Sequence, residues 1–322
     1  MSGKSSAIVP RRPLLSLPGS APATGLAWGL LGVLAFSFTV PLTRVAVGGL
    51  DPLFIGSGRA VVAAALAAGA LLLTRQPLPR GRQWLRLAVV AGGVVAGFPL
   101  LTSYALSEVP AAHGAVVIAM LPATTAVIVV LRTGERPVRA FWAFATLGAL
   151  AAVGFAALQG GGTGQLQRAD LLLVLAVLAC AVGYAEGGVI SREVGSWQAI
   201  SWALVLAAPA MATLAAVSVL REQPSATATQ WLCFAYLACV SMFLGFFAWY
   251  RGLAIGPMAQ VSQVQLAQPV LSIAWAGLLL GERITWLTVL GGLAVIACAA
   301  GASSSRRRPP VVPDRNAVKS AV

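Results

Sequence analysis

Between residues 24 and 302 the chain alternates long apolar runs with short polar punctuation. Ten runs are delimited in this way, at about 24–43, 53–74, 86–106, 110–131, 140–158, 169–190, 197–220, 228–250, 256–280 and 284–302. Each is close to the roughly 20 residues that an α-helix needs to cross a bilayer. Inside the runs polar and apolar positions do not alternate, as they would in the strands of a membrane barrel. Ala, Gly, Leu and Val dominate instead, and the 34 glycines suit helices that pack closely in lipid. The pattern predicts an all-α integral membrane protein with ten transmembrane helices.

Composition agrees. The 322 residues are 58% hydrophobic and 10% charged, against about 25% charged in a soluble domain. The net charge of +13 does not point to nucleic acid, because the basic residues sit in loops and tails and form no stripe or binding motif. Their placement sets orientation instead. Of the 22 lysines and arginines, Arg44, Arg168, Arg221 and Arg283 fall in loops on one side and Arg59 falls within a span. The other 17 lie on the side of the termini. That bias places both termini in the cytoplasm of a cell inner membrane. Residues 1–23 are then a cytoplasmic N-terminal tail, and residues 303–322 a basic, disordered one. The four cysteines all lie in apolar runs and the chain has one histidine, so no metal site is expected. There is no GxxxxGK[ST] motif and no cofactor is expected.

The triplet Gly-Glu-Arg closes two of the apolar runs, at 134–136 and 281–283. Sliding outward from the two triplets brings Pro122 onto Pro269 and Pro110 onto Pro257. Leu106, Ala112, Val117 and Leu131 meet Leu253, Ala259, Val264 and Leu278 in the same frame. Two prolines and a triplet in one frame point to duplication. The chain therefore reads as a repeat over 24–158 (helices 1–5) and a second over 169–302 (helices 6–10). Five is odd, so the second unit crosses the membrane in the opposite sense. Glu135 comes to lie inside and Glu282 outside, in the two inverted five-helix repeats of secondary transporters. Glycine ends each helix and the Glu–Arg pair ties down the turn.

Ten spans in two repeats, each with a proline thirteen residues before the Glu of Gly-Glu-Arg, resemble the EamA domains of the drug/metabolite transporter superfamily. Trp28-Gly29, Arg59 and Ser191-Arg192 sit where that family carries similar residues. The resemblance covers nearly the whole chain. It implies export of small metabolites, since relatives export amino acids, nucleosides, sugars and drugs. Bacterial amino-acid exporters are the nearest characterised type.

Polar groups inside a membrane are costly and usually face a cavity. Glu186 is the one acid well inside a span; it is read either as a proton carrier or as a cytoplasmic-end acid paired with Arg192 or the following loop. His113 is the single histidine, a group that titrates near neutral pH, or one merely bonded to a neighbour. Gln260, Gln263, Gln265 and Gln268 crowd one span with Ser262 and Pro269, which no lipid-facing helix would carry; they line a cavity or bond other helices. Trp28, Tyr104 and Tyr184 complete the substrate-binding candidates, each as readily packing as function. Trp249 and Tyr250 are assigned to the interfacial aromatic belt, and Arg59 is read as a snorkelling side chain near the outer interface, with contact to a substrate carboxylate as the alternative.

The sequence thus reads as a secondary transporter. It exports small metabolites, with amino acids favoured, by alternating access about a central cavity, coupled to protons or to exchange. Its partners are a small-molecule substrate and the lipid bilayer. A drug or lipid translocator of the same fold stands as the alternative. An intramembrane enzyme is disfavoured, because one histidine and one mid-span acid make a poor catalytic set. A reporter fused after residue 302 should give a cytoplasmic signal; an external signal would break both the orientation and the even span count.

Overall fold

The computed structural model describes residues 20–133, 138–159, 167–255, 261 and 264–304. Among these there are helices and turns but no strands. Seven helices are long and apolar enough to cross a membrane, and three shorter apolar ones accompany them. Span 1 runs as Ser20–Ser37 and Thr39–Ala46. Span 2 is Pro52–Leu73 and span 3 is Arg82–Glu108. Span 4 is divided into Ala111–Ile118 and Leu121–Thr133, and span 5 is Arg139–Gln159. Spans 6, 7 and 8 are Arg168–Val194, Ser196–Arg221 and Ala228–Ile255. Span 9 includes Ala267–Leu280 and span 10 is Trp286–Ser304.

The main helix contacts join the first five spans to the last five. Span 2 packs on span 7, span 5 on span 10, span 4 on span 9, span 3 on span 6 and span 1 on span 8. Exchanging each span for the one five places away leaves this set of pairings unchanged. Close approach is made possible by missing side chains. A Cβ on Gly93 of span 3 would stand 2.4 Å from the Ala179 carbonyl of span 6, so the two backbones touch as they do where small residues meet in membranes.

The spans are not uniform helices, and their irregularities repeat. Proline lacks the N–H that would bond the carbonyl four residues back. Pro41 leaves the Ser37 carbonyl free, and span 1 breaks at Phe38. Pro122 follows a turn at Ala119–Met120 in span 4, and Pro269 follows one at Gln265–Leu266 in span 9. Those two turns lie one residue apart in the frame of the Gly-Glu-Arg alignment. Wide π-helical segments occupy Ala91–Gly97 of span 3 and Leu237–Leu244 of span 8, again matching in that frame. Such segments recur at functional sites because they leave backbone groups off the regular ladder.

The second Gly-Glu-Arg triplet has a defined job. Gly281 takes a left-handed conformation at φ +65° and ends span 9. The Glu282 carboxylate then accepts the N–H groups of Ala111 at 2.8 Å and Ala112 at 2.9 Å. It caps the start of span 4, where helical N–H groups lack partners. The turn is therefore tied to another span, where an internal Glu–Arg pair had been expected. The first triplet, with Glu135, lies outside the described residues. Trp249 and Tyr250 are also placed differently from expectation. They are 2% and 0% exposed, packed in the core and not in an interfacial belt, because Gly32 lets the Trp249 backbone approach span 1 and Gly187 leaves room for the Tyr250 ring against span 6.

Glu282→Ala should strip two span 4 donors of their acceptor and cost about 1–3 kcal/mol. Thermal unfolding in detergent should show a lowered Tm, with Glu282→Gln intermediate. An unchanged Tm for both variants would mean that water replaces the cap.

Candidate functional site

Every irregularity just described converges on one place. Thr39 follows the break in span 1, Leu121 follows the turn in span 4, and Gln268 follows the turn in span 9. Val94 belongs to the π segment of span 3, and Ser241 and Met242 to that of span 8. All six line one central cavity, together with Arg59 of span 2, Cys180 and Tyr184 of span 6, and Phe36, Phe98 and Phe246. A second cavity adjoins it through Leu121 and Gln268 and is walled by Gln265, Pro269 and Ser272. Their volumes are about 30 and 10 Å³. That is room for about two or three waters, too little for a metabolite.

Beside the span 1 break, side chains of the two halves bond one another and the carbonyl that Pro41 frees. The Ser272 hydroxyl donates to the Ser37 carbonyl at 2.7 Å. The Trp275 indole N–H donates to the Ser37 hydroxyl at 3.0 Å. Thr39 and Ser241 share a buried hydroxyl–hydroxyl hydrogen bond at 2.7 Å. These bonds satisfy the groups that a membrane interior cannot solvate.

Three groups in the cavities are not satisfied. Arg59 is 1% exposed, and its Nε and Nη2 have no hydrogen-bond partner. It cannot snorkel as the sequence suggested. Span 2 is buried over Ile55–Ala60, and spans 3, 7 and 8 pack around it. No ion pair involving Arg59 exists among the described residues. Gln268 Oε1 and Gln265 Nε2 are likewise buried without partners. Burying a guanidinium unpaired is expensive, so this arrangement invites an anion. The wall opposite is aromatic: Phe36 and Phe246 lie 4.9 Å apart, and Tyr184 sits edge-on to Phe246 at 6.0 Å.

Of the residues singled out from sequence, the structure brings Tyr184, Gln265 and Gln268 to the cavities. Gln260, Gln263 and Ser262 lie outside the described residues. Tyr104 is near the end of span 3 and lines neither cavity. Trp28 lies in a separate groove beneath the Arg251 guanidinium. His113 and Glu186 also stand off the cavities, one toward each end of span 6. His113 Nε2 is 2.6 Å from Asp170 Oδ1, both buried, joining span 4 to the start of span 6. Glu186 is paired with Arg86 Nε of span 3, where Arg192 or the loop had been the expected partner. Arg86 also reaches Glu193. Span 6 is thus fastened to the first five spans at both of its ends.

Sequence reading underweighted Arg59 and did not find Thr39, Ser241 or Ser272. Pro41 carried a signal for the span 1 break, since it deletes a donor inside the first apolar run. The π segment of span 8 had none.

The chain matches the EamA-like transporter family twice, over residues 23–157 and 167–304. A curated relative, "Uncharacterized transporter YdeK" of Bacillus subtilis (strain 168), is 46% identical over 274 residues, which are 85% of this chain and 95% of that one. A solved structure described as "Crystal structure of protein" superposes with a TM-score of 0.60 at 21% identity, covering 89% of this chain and 98% of that one. At that identity the likeness concerns the fold alone.

Glu186→Gln should loosen the contact between spans 3 and 6 by about 1 kcal/mol, a roughly fivefold population shift. In a background where Cys233, Cys239 and Cys298 are serine, a water-soluble maleimide should then label the cavity residue Cys180 about fivefold faster. An unchanged rate would show that this ion pair does not hold the site closed.

Proposed function

Because this chain belongs to the EamA-like transporter family, we propose that its central cavity carries amino acids across the membrane by alternating access. One observation carries this reading: a fully buried guanidinium without a partner, on the wall of a cavity between the two halves of the chain. Arg59 would hold the substrate carboxylate through two parallel, charge-assisted hydrogen bonds. Gln268 Oε1, on the same cavity wall, would accept from the ammonium group. Phe36, Phe246 and Met242 would contact the side chain. The polarity of each group matches one part of a zwitterion.

The two five-span halves are the units that move in this reading. Support comes from the matching breaks in spans 4 and 9, the matching π segments in spans 3 and 8, and contacts that pair the halves symmetrically. An inverted duplication would produce all three. His113–Asp170 would close one end and Arg86–Glu186 the other, so each half-cycle releases one pair. By the lysine and arginine bias the first end would be external and the second cytoplasmic, and export from the cell is the proposed direction. Coupling to protons or exchange against a second substrate would drive the cycle. A drug translocator of the same fold is the second reading, and the unpaired Arg59 disfavours cationic drugs.

Uptake of a labelled amino-acid panel into everted membrane vesicles, with and without an acid interior, is the direct test. One substrate class should accumulate. Arg59→Gln should reduce its transport roughly 100-fold, the value of two hydrogen bonds to a charged group, and Arg59→Lys should retain part. Equal transport of decarboxylated analogues, or an unaffected Arg59→Gln variant, would overturn the carboxylate assignment.

A further inference from the structure

A groove of about 440 Å³, the most spacious in the molecule among those described, lies away from the central cavity and shares no lining residue with it. It runs between span 1, the first turn of span 7 and the face of span 8 opposite Phe246. Its two ends differ in chemistry. One end holds Arg251, whose guanidinium lies 5.2 Å over the Trp28 ring, with Ser196 and Trp197 beside it. The other end is apolar, walled by Leu31, Ala35, Val240 and Leu244. Leu31 and Leu244 are each 52% exposed. From Arg251 to Val240 the groove extends roughly 16 Å along span 8, close to the depth of one hydrocarbon leaflet, about 15 Å.

We infer that this groove binds one anionic phospholipid, with its phosphate on Arg251 and an acyl chain laid along span 8. Charge selects this occupant. Arg251 is exposed and, among the described residues, takes part in no ion pair. Arginine matches phosphate geometry closely, and two tryptophans at the same level suit the headgroup region. Ser196 and Trp197 open a 26-residue helix whose N-cap, Gly195, supplies no side-chain acceptor, which adds positive potential there. The chain's own N-terminal segment is a poor rival. Residues 1–19 carry Lys4, Arg11 and Arg12 and no acid, so their charge has the same sign as that of Arg251. The groove also straddles the two halves, with span 1 from one and spans 7 and 8 from the other. A bound lipid would therefore bridge parts that move against each other during transport.

The experiment uses the full chain purified in neutral detergent. Saturable thermal stabilisation is titrated with phosphatidylglycerol and with phosphatidylcholine of the same chains. Phosphatidylglycerol should act at about tenfold lower concentration, the value of one charge-assisted contact. Arg251→Gln should remove that preference, and Leu244→Trp, which fills the slot without changing charge, should abolish the response to both lipids. Arg75→Gln, an exposed arginine on the same side of the protein, should change nothing. Equal potency of the two lipids would overturn the proposal, as would a preference that survives Arg251→Gln and Leu244→Trp. A mass shift to a dimer that is lost on Leu244→Trp would also overturn it, by giving the groove to a second copy. Each variant's Tm without added lipid reports whether it folds normally.

Discussion

Inside a bilayer a backbone carbonyl that loses its helical partner has no water to turn to, and that constraint organises this molecule. Three prolines create the need. Pro41, Pro122 and Pro269 each delete a donor inside a span and the chain turns or breaks beside all three, whereas Pro209 sits within an unbroken span 7. The freed groups cannot face lipid without a cost of several kcal/mol. The Ser37 carbonyl accepts from Ser272 instead, and Thr39, Ser241 and Trp275 add side-chain bonds across the gap between the halves. Part of that polar interior thus follows from where proline was placed. Arg59, Gln265 and Gln268 then stand out because the same accounting leaves them unfinished.

The closures at the two ends follow different logic. On the side of His113 the fastenings are many. Glu282 caps span 4, and Asp170 both bonds His113 and accepts the Gln167 N–H at its own helix start. Toward the other end, Arg86 serves Glu186 and Glu193 together, and Gln198 reaches Gln76. The first set is largely buried, where pairs are strong but depend on good geometry. The second is partly exposed, where a pair is worth about 1 kcal/mol or less. In the proposed cycle the end fastened by Arg86 would be the easier one to release.

The architecture was legible in the sequence because membrane helices advertise themselves through length and hydropathy. The ten runs match the ten helical spans to within a few residues at most ends, apart from residues that are not described. The duplication was legible through Pro122, Pro269 and the two Gly-Glu-Arg triplets, and the same prolines mark the helix breaks. The site was legible only in part. Gln265 and Gln268 announced themselves because amides have no place on a lipid face. Arg59 did not, because a position six residues into a span allows a long side chain to reach water unless neighbours block it, and the blocking comes from spans 3, 7 and 8. Glu186 misled for a related reason. Its partner, Arg86, is 100 residues away, and only the packing of span 3 on span 6 brings the two together. Trp249 and Tyr250 resembled a belt by sequence position, yet glycines on two other spans admit them to the core.

Arg59 also bears on how the cycle can be driven. A guanidinium enclosed in a low-dielectric cavity without a counter-charge raises the free energy of the closed conformation by several kcal/mol. A carboxylate brought in with the substrate removes most of that penalty, so the loaded closed form is favoured over the unloaded one. A ligand can shift a conformational equilibrium only by its differential affinity for the two states. In the proposed cycle the difference would reside in one ion pair, formed fully only in an occluded state wider than the one described. The consequence is that a substrate lacking a carboxylate can be admitted and still fail to be carried, because nothing offsets the buried charge during passage. Selectivity would then be exercised at closure, in the rate of transport, more than at the initial binding step.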